Sequence, residues 1–253
     1  MKSIVILGSG NVAHHFIKAF TENPVVQLIG HFSRQKKATL NLPTYAKHTS
    51  NWDEIPEADV YLICVSDDAI EEISAKIPFK NKLVLHTSGS KALTSLNSKN
   101  RRGVLYPLQT FSKEKEINFN TVPLCLETEN EKDYEILEDI AKSLSKNYYN
   151  INSEKRKALH VAAVFVCNFV NHLYVLGKEL CDSNAIPFTV LHPLIAETAQ
   201  KIEFMSPEMA QTGPAKRNDT QTIEAHLAYL QNENQKQIYQ LLTQSIQNHV
   251  QKL

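Results

Sequence analysis

The chain has 253 residues, 42% hydrophobic and 21% charged, which suits one or two globular domains with a real core. Lys plus Arg and Asp plus Glu both number 27, so the formal net charge is zero, which argues against a general affinity for nucleic acid or anionic membranes. The four cysteines form no Cys-x-x-Cys pair and three lie inside apolar runs, so reduced thiols in a reducing cytosol are expected, with no metal.

The first predicted strand is Ile4–Leu7. It runs directly into Gly8-Ser9-Gly10-Asn11-Val12-Ala13, which opens a predicted helix over Asn11–Thr21. Strand, Gly-x-Gly-x-x-Ala and helix within about thirty residues is the layout of a dinucleotide-binding turn. Gly8 permits the tight turn, Gly10 lets backbone approach a pyrophosphate, and small Ala13 lets helix pack on strand. The pyrophosphate would rest on the free N–H groups at the helix start, with Asn11 and Val12 in its cradle.

The second predicted strand, Val25–Phe32, ends in Ser33-Arg34. An NAD site usually carries Asp or Glu there for the ribose 2′-hydroxyl. No acid occurs between Glu22 and Asp53; Ser33, Arg34, Lys36 and Lys37 stand in its place. A guanidinium pairs with a 2′-phosphate that a carboxylate would repel, so the expected cofactor is NADP(H).

Further strands are predicted at Val60–Val65, Leu83–His86, Val104–Leu108, Val122–Glu127 and Tyr148–Ile151, with helices at Asp67–Ile77, Ala92–Asn97 and Glu131–Ser145. This alternation predicts a doubly wound sheet with helices on both faces. Ligands collect at the carboxyl ends of such strands. Val65 and Ser66 follow one strand end and are placed beside the cofactor; Asp67 reads as a helix cap. His86, Thr87, Ser88 and Gly89 follow the next: Thr87 is expected on the cofactor and His86 on the substrate, although a histidine there also serves structure. Tyr106-Pro107 ends another strand and leaves its cis or trans state open.

After Ser153 no convincing strand appears. Ser153 is read as the cap of a long helix to about Asp182; further helices are predicted from Pro187 to Phe204, at Thr220–Asn232 and at Glu233–Val250. The expected domains are therefore 1–150 and 151–253. His160, Val164, Cys167, Asn168, Asn171 and Lys178 share about a 100° arc at 3.6 residues per turn. A polar stripe on a mostly buried helix needs partners, supplied by a substrate pocket, by neighbouring helices or by a subunit contact. In Thr212 to Thr220, Arg217 is a candidate anion binder and Asp219 a helix cap. The apolar run before Gly8 is too short for a signal peptide, and Ala158–Val170 too short to cross a bilayer. A soluble cytoplasmic protein is expected.

The chain resembles the NADP oxidoreductases that join a Rossmann-like N-terminal domain to an uncharacterised helical C-terminal domain. The resemblance spans essentially the whole chain. It rests on Gly8–Ala13, Val65–Ile70, His86–Gly89, His160–Asn168 and the run from Thr212-Gly213-Pro214 through Arg217 and Asp219. In layout this group is similar to pyrroline-5-carboxylate reductase, the 6-phosphogluconate and β-hydroxyacid dehydrogenases, and the deazaflavin-linked NADP oxidoreductases. The resemblance implies a Rossmann-like, mostly parallel sheet followed by an all-helical domain like the C-terminal domain of 6-phosphogluconate dehydrogenase. It implies dimerisation through the C-terminal helices and an active site in the interdomain cleft. The Lys-x-x-x-Asn pair of β-hydroxyacid dehydrogenases is not kept: Val164 stands four residues before Asn168.

The reading is hydride transfer between NADP(H) and a small polar ketone or imine. Gly8, Gly10, Asn11, Val12, Ser33, Arg34, Val65, Ser66 and Thr87 bind cofactor. His160 is the acid/base or polarising group, with Asn168 orienting the substrate. His86, Asn171 and Arg217 contact the substrate. The alternative is a non-catalytic NADP-binding redox sensor or partner-binding protein.

Overall fold

The structure is a computed structural model that describes residues 1–34 and 42–250. Lys36 and Lys37 lie outside the described residues. Eight strands form one sheet in the order β3-β2-β1-β4-β5-β6-β7-β8. They are β1 (Lys2–Leu7), β2 (Val26–Phe32), β3 (Lys47–Thr49), β4 (Val60–Ile63), β5 (Leu83–His86), β6 (Arg101–Pro107), β7 (Leu124–Thr128) and β8 (Tyr148–Asn150). Every neighbouring pair is parallel except β6 and β7.

Both faces of β1 are buried, so its sequence is a continuous apolar run. Side chains alternate between the faces. Ile4 and Ile6 pack with Phe16 and Phe20 of α1 (Asn11–Thr21) and with Leu137 and Ile140 of α3 (Glu131–Leu144). Val5 and Leu7 pack on the other face with Ile70 and Ile73 of α2 (Ile70–Lys76). Each fully buried side chain of this size contributes roughly 1.5–3 kcal/mol. The sheet is thereby fixed as the rigid floor from whose carboxyl edge the loops project.

One strand was not foreseen and two local expectations are corrected. The short strand β3 carries too little pattern to be read alone; it exists because Gly30–Phe32 offer it a parallel edge. The helix expected at Ala92–Asn97 is only a 3₁₀ turn at Leu93–Ser95, where the Leu93 N–H is taken by the Ser153 hydroxyl at 2.9 Å. Ser153 is therefore not a cap: Asn152 caps α4 (Ser153–Ala163) by accepting from the Lys155 N–H at 3.0 Å. Tyr106–Pro107 is trans.

By contacts the chain divides into two compact units, Met1–Asn168 and Phe169–Leu253. The division falls inside the long helix rather than near Asn150, because α4 is anchored to the first unit. Arg156, 0% exposed, pairs with the Glu127 carboxylate of β7 and donates to the Lys91 carbonyl. Ser153 donates to the same carboxylate through N–H and hydroxyl, at 2.9 and 3.0 Å.

The second unit is helical: α5 (Val170–Ser183), α6 (His192–Lys201), α7 (Pro207–Ala210), α8 (Pro214–Arg217), α9 (Thr220–Tyr229) and α10 (Glu233–Val250). Asp219 caps α9 as expected, accepting from the Thr222 N–H at 3.1 Å. Between α4 and α5 the helix widens to a π-helical turn over Val164–Phe169. Its i→i+5 bonding breaks the 3.6-residue wheel, so the single stripe from His160 to Lys178 does not hold beyond the turn. Nor is this helix mostly buried: Arg156 and Cys181 are its buried residues on α4 and α5. Counted through the π turn, Ser153–Ser183 is continuous for 31 residues, long and apolar enough by length and composition to cross a bilayer, which corrects the shorter span read from sequence.

Candidate nucleotide site and its neighbouring polar pair

At the end of β1 the chain turns at Gly8 with φ +129°, a conformation that costs a side chain dearly. A Cβ here would lie 2.0 Å from the Cys64 carbonyl oxygen. The Gly8 N–H donates to the Phe32 carbonyl at 2.9 Å, tying the turn to β2. Its own carbonyl accepts from His31 Nε2 at 2.6 Å. With its proton on Nε2, the His31 ring accepts at Nδ1 from His48 Nδ1, 3.0 Å away. Burial lowers the His31 pKa, His48 adds to the effect, and the Gly8 carbonyl opposes it. A neutral, wholly buried imidazole thus braces the turn.

Gly10 precedes α1 in extended conformation, and no side chain caps the helix. Nor does the first turn carry an acid. The first N–H groups are left as donors at the positive end of the helix dipole, the arrangement that receives a phosphate. A Cβ at Gly10 would meet nothing within 4 Å, so the backbone there is open to a close ligand. The Asn11 side chain is occupied elsewhere: its amide donates to the Phe111 carbonyl at 2.7 Å. With His15 bonded to the Ser112 carbonyl at 2.8 Å, it fastens the segment after β6 to α1.

These features border one cavity of about 740 Å³, within the usual size for cofactor sites. Gly8, Gly10, Asn11, Val12, Ser33, Arg34, Val65, Ser66 and Thr87 all line it, so the structure gathers every residue assigned to cofactor from sequence. Exposed Arg34 stands at the end of β2, where Ser33 N–H donates to the Thr49 carbonyl of β3 at 3.2 Å. Glu72 and Lys76 of α2 share this wall. The Glu72 carboxyl is held below its ordinary pKa by Lys76 first and, more weakly, by Arg34.

Trp52, Gln109 and Phe111 also line the cavity and were not foreseen. Trp52 packs on Phe32 with ring centroids 4.1 Å apart. It follows the strand that sequence did not reveal. Asp67 proves not to be a cap: its carboxylate accepts from the Ser90 hydroxyl.

Beyond Thr87 the same loop meets a second polar feature. Tyr106, at the end of β6, lies 3.0 Å from His160 Nδ1 through its hydroxyl. Gly89 makes room for both, because a Cβ there would lie 2.6 Å from His160 Nδ1 and 2.7 Å from Tyr106 Cζ. Thr87 and Gly89 are two residues apart, at most about 7.6 Å of Cα path, so the pair sits near that end of the cavity.

His86 does not reach this surface. It is 0% exposed, and its Nδ1 accepts from the Ser88 N–H at 3.1 Å. Burial first, then Arg156, push its pKa down to about 4. The substrate contact expected of it is corrected to the structural role: a neutral imidazole shaping the turn from His86 to Ser90. Asn168 lies in the π-helical turn and is exposed, as is Asn171 on α5. Arg217 ends α8, also exposed. None of these three lines the cavity. His226 on α9 is bonded to the Tyr239 hydroxyl at 2.8 Å.

Comparison with known proteins agrees with this architecture. Residues 122–246 match the model of a domain of unknown function, DUF2520, which begins within the sheet just before β7. No curated protein matches the chain. The crystal structure of BF3122 from Bacteroides fragilis, named as a candidate NADP oxidoreductase, is 36% identical, with 98% of each chain covered and a TM-score of 0.89. Two more distant structures share the fold. The pyrroline carboxylate reductase of Plasmodium falciparum, solved with NADP bound, is 13% identical (97% of this chain and 98% of that one, TM-score 0.58). The reductive aminase of Aspergillus terreus, in complex with NADPH4, cyclohexanone and allyl amine, is 13% identical (100% and 94%, TM-score 0.70). This chain belongs to the family of BF3122, the NADP oxidoreductases that join a Rossmann-like N-terminal domain to a DUF2520 region.

Proposed function

We propose that the protein binds NADP(H) in the cavity at the Gly8–Ala13 turn and transfers a hydride between it and a small polar ketone or imine. The observation that carries this reading is the single cavity shared by the uncapped start of α1, open Gly10 and Arg34. The residues present fit the group: N–H donors for a pyrophosphate, the Arg34 guanidinium at the end of β2 for a 2′-phosphate, and Trp52 as an apolar wall. The nicotinamide, when bound, supplies or accepts the hydride. Gly10, Asn11 and Val12 present backbone donors, and Arg34 selects the phosphorylated ribose. His160 polarises the substrate or exchanges a proton with it. Asn168, Asn171 and Arg217 stay in the reading as substrate contacts on the strength of their sequence positions alone.

We further propose a homodimer in the cytoplasm. The long helix exposes Val161 and Val166, and the second unit exposes Val190, Leu194 and Leu241. Apolar side chains left open on each unit by itself support association with another protein surface. A second copy suits them better than a bilayer, which would have to accept His160, Asn168, Asn171 and His172 within the same helix. Calorimetric titration with NADPH and separately with NADH tests the cofactor. Micromolar NADPH binding and much weaker NADH binding support the reading; no binding of either ends it. Light scattering tests the assembly, with a monomeric mass counting against the dimer.

A further inference from the structure

The Tyr106–His160 contact joins three parts of the first unit: the end of β6, the loop around Gly89 and the last turns of α4. The rings meet edge to face, with centroids 6.0 Å apart at 75°. Tyr106 is 8% exposed. Its hydroxyl carries one proton that needs an acceptor, and among the described residues only His160 Nδ1 is hydrogen-bonded to it. If Nδ1 carried the imidazole proton instead, the phenol proton would have no acceptor among the described residues. That disfavours the alternative by roughly ten- to a hundredfold.

We propose that Tyr106 is a positioning residue that fixes His160 in the Nε2–H tautomer, so that the imidazole offers its substrate a hydrogen-bond donor. The assignment of substrate rests on the proposed function, in which His160 faces the reacting group. The group it meets must then be an acceptor. A neutral carbonyl oxygen qualifies, and so does an unprotonated imine nitrogen. A protonated iminium, itself a donor or a cation, does not. Within the ketones and imines already proposed, this selects the neutral electrophiles.

Two further observations support the direction of the bond. Burial pushes the Tyr106 hydroxyl up to about 12, with Cys125 and Asp67 acting the same way and Arg156 opposing, so it stays a protonated donor near neutrality. Among the described residues no group is hydrogen-bonded to His160 Nε2, which leaves that N–H for a ligand. Gly89 holds the two rings at this distance, since any side chain there would push them apart.

The test is a long-range ¹H–¹⁵N correlation of the imidazoles, recorded at alkaline pH with the rings neutral. His160→Gln identifies the His160 signal among the 10 histidines. The wild type is expected in the Nε2–H form. Tyr106→Phe removes the donor and is expected to raise the minor tautomer at least about fivefold. An Nδ1–H wild type overturns both the tautomer and the substrate class drawn from it, as does a Tyr106→Phe spectrum unchanged in tautomer ratio. Should Tyr106→Phe fail to fold, an Nδ1–H wild-type spectrum still overturns the proposal. NADPH titration of the same sample is an independent reading. Lost NADPH binding beside an Nε2–H signal would end the cofactor assignment while supporting the tautomer.

Discussion

The carbonyl oxygen of Cys64 occupies the place where a side chain on Gly8 would begin, 2.0 Å from the position of its Cβ. Gly10, two residues on, has nothing within 4 Å of the same point. One signature therefore contains two glycines required for different reasons. Gly8→Ala combines a backbone collision with φ +129° and is expected to destabilise the protein by on the order of 1–3 kcal/mol or more. Gly10→Ala should fold with near wild-type stability, yet lose NADPH affinity tenfold or more, because its methyl group enters the space of the pyrophosphate. Urea denaturation and calorimetry on both variants separate the effects. Equal stability losses would contradict the distinction.

Arg34 carries the cofactor preference. Charge-assisted hydrogen bonds contribute about 1.5–3 kcal/mol, equivalent to roughly ten- to a hundredfold in affinity. Arg34→Ala should weaken NADPH by that factor and leave NADH nearly unchanged. Fluorescence of the single tryptophan, Trp52 in the cavity wall, gives a direct titration. Equal losses for the two nucleotides would remove Arg34 from the 2′-phosphate.

The nucleotide turn was legible because its information is local: an apolar strand, glycines at fixed spacing and a helix start. The braces behind it were not. His31 acts on Gly8 from another strand, and Trp52 reaches the cavity through a three-residue edge strand with almost no pattern of its own. His160 was found from its helix, but its partner Tyr106 is 54 residues away in sequence. The histidine–asparagine stripe was misread beyond Val164, because a π-helical turn leaves no mark on a 3.6-residue count.

The buried Arg156–Glu127 pair is expected to dominate the attachment of α4 to the sheet. Removing one partner of a buried pair costs about 3–5 kcal/mol, since the other charge is left uncompensated. Arg156→Met should fall in that range, given an arginine side chain 0% exposed against a glutamate 16% exposed. Arg156→Met with Glu127→Gln should lose less than the single variant, because the orphaned charge is gone. Urea melts of wild type, both single variants and the double variant decide this; a double variant weaker by the sum of the two single losses would mean that the pair is not coupled.

His86 predicts a pH dependence with a defined sign. In the fold its pKa is about 4, through burial and the nearby Arg156, against an ordinary value of 6.5 when the chain is unfolded. Between these values the unfolded chain binds a proton that the folded chain refuses. Stability from this source is therefore complete above about pH 6.5 and is lost as pH falls towards 4. The gap corresponds to on the order of 3 kcal/mol. His31 titrates in the same direction, and carboxylates such as Asp59 and Glu129 weaken the fold at still lower pH. The comparison must therefore be with His86→Asn, which keeps those groups and lacks this one. The variant should be less stable than wild type at pH 7.5, and the difference should shrink as both are acidified to pH 4.5. Parallel stability curves across that range would show that His86 does not remain neutral in the fold.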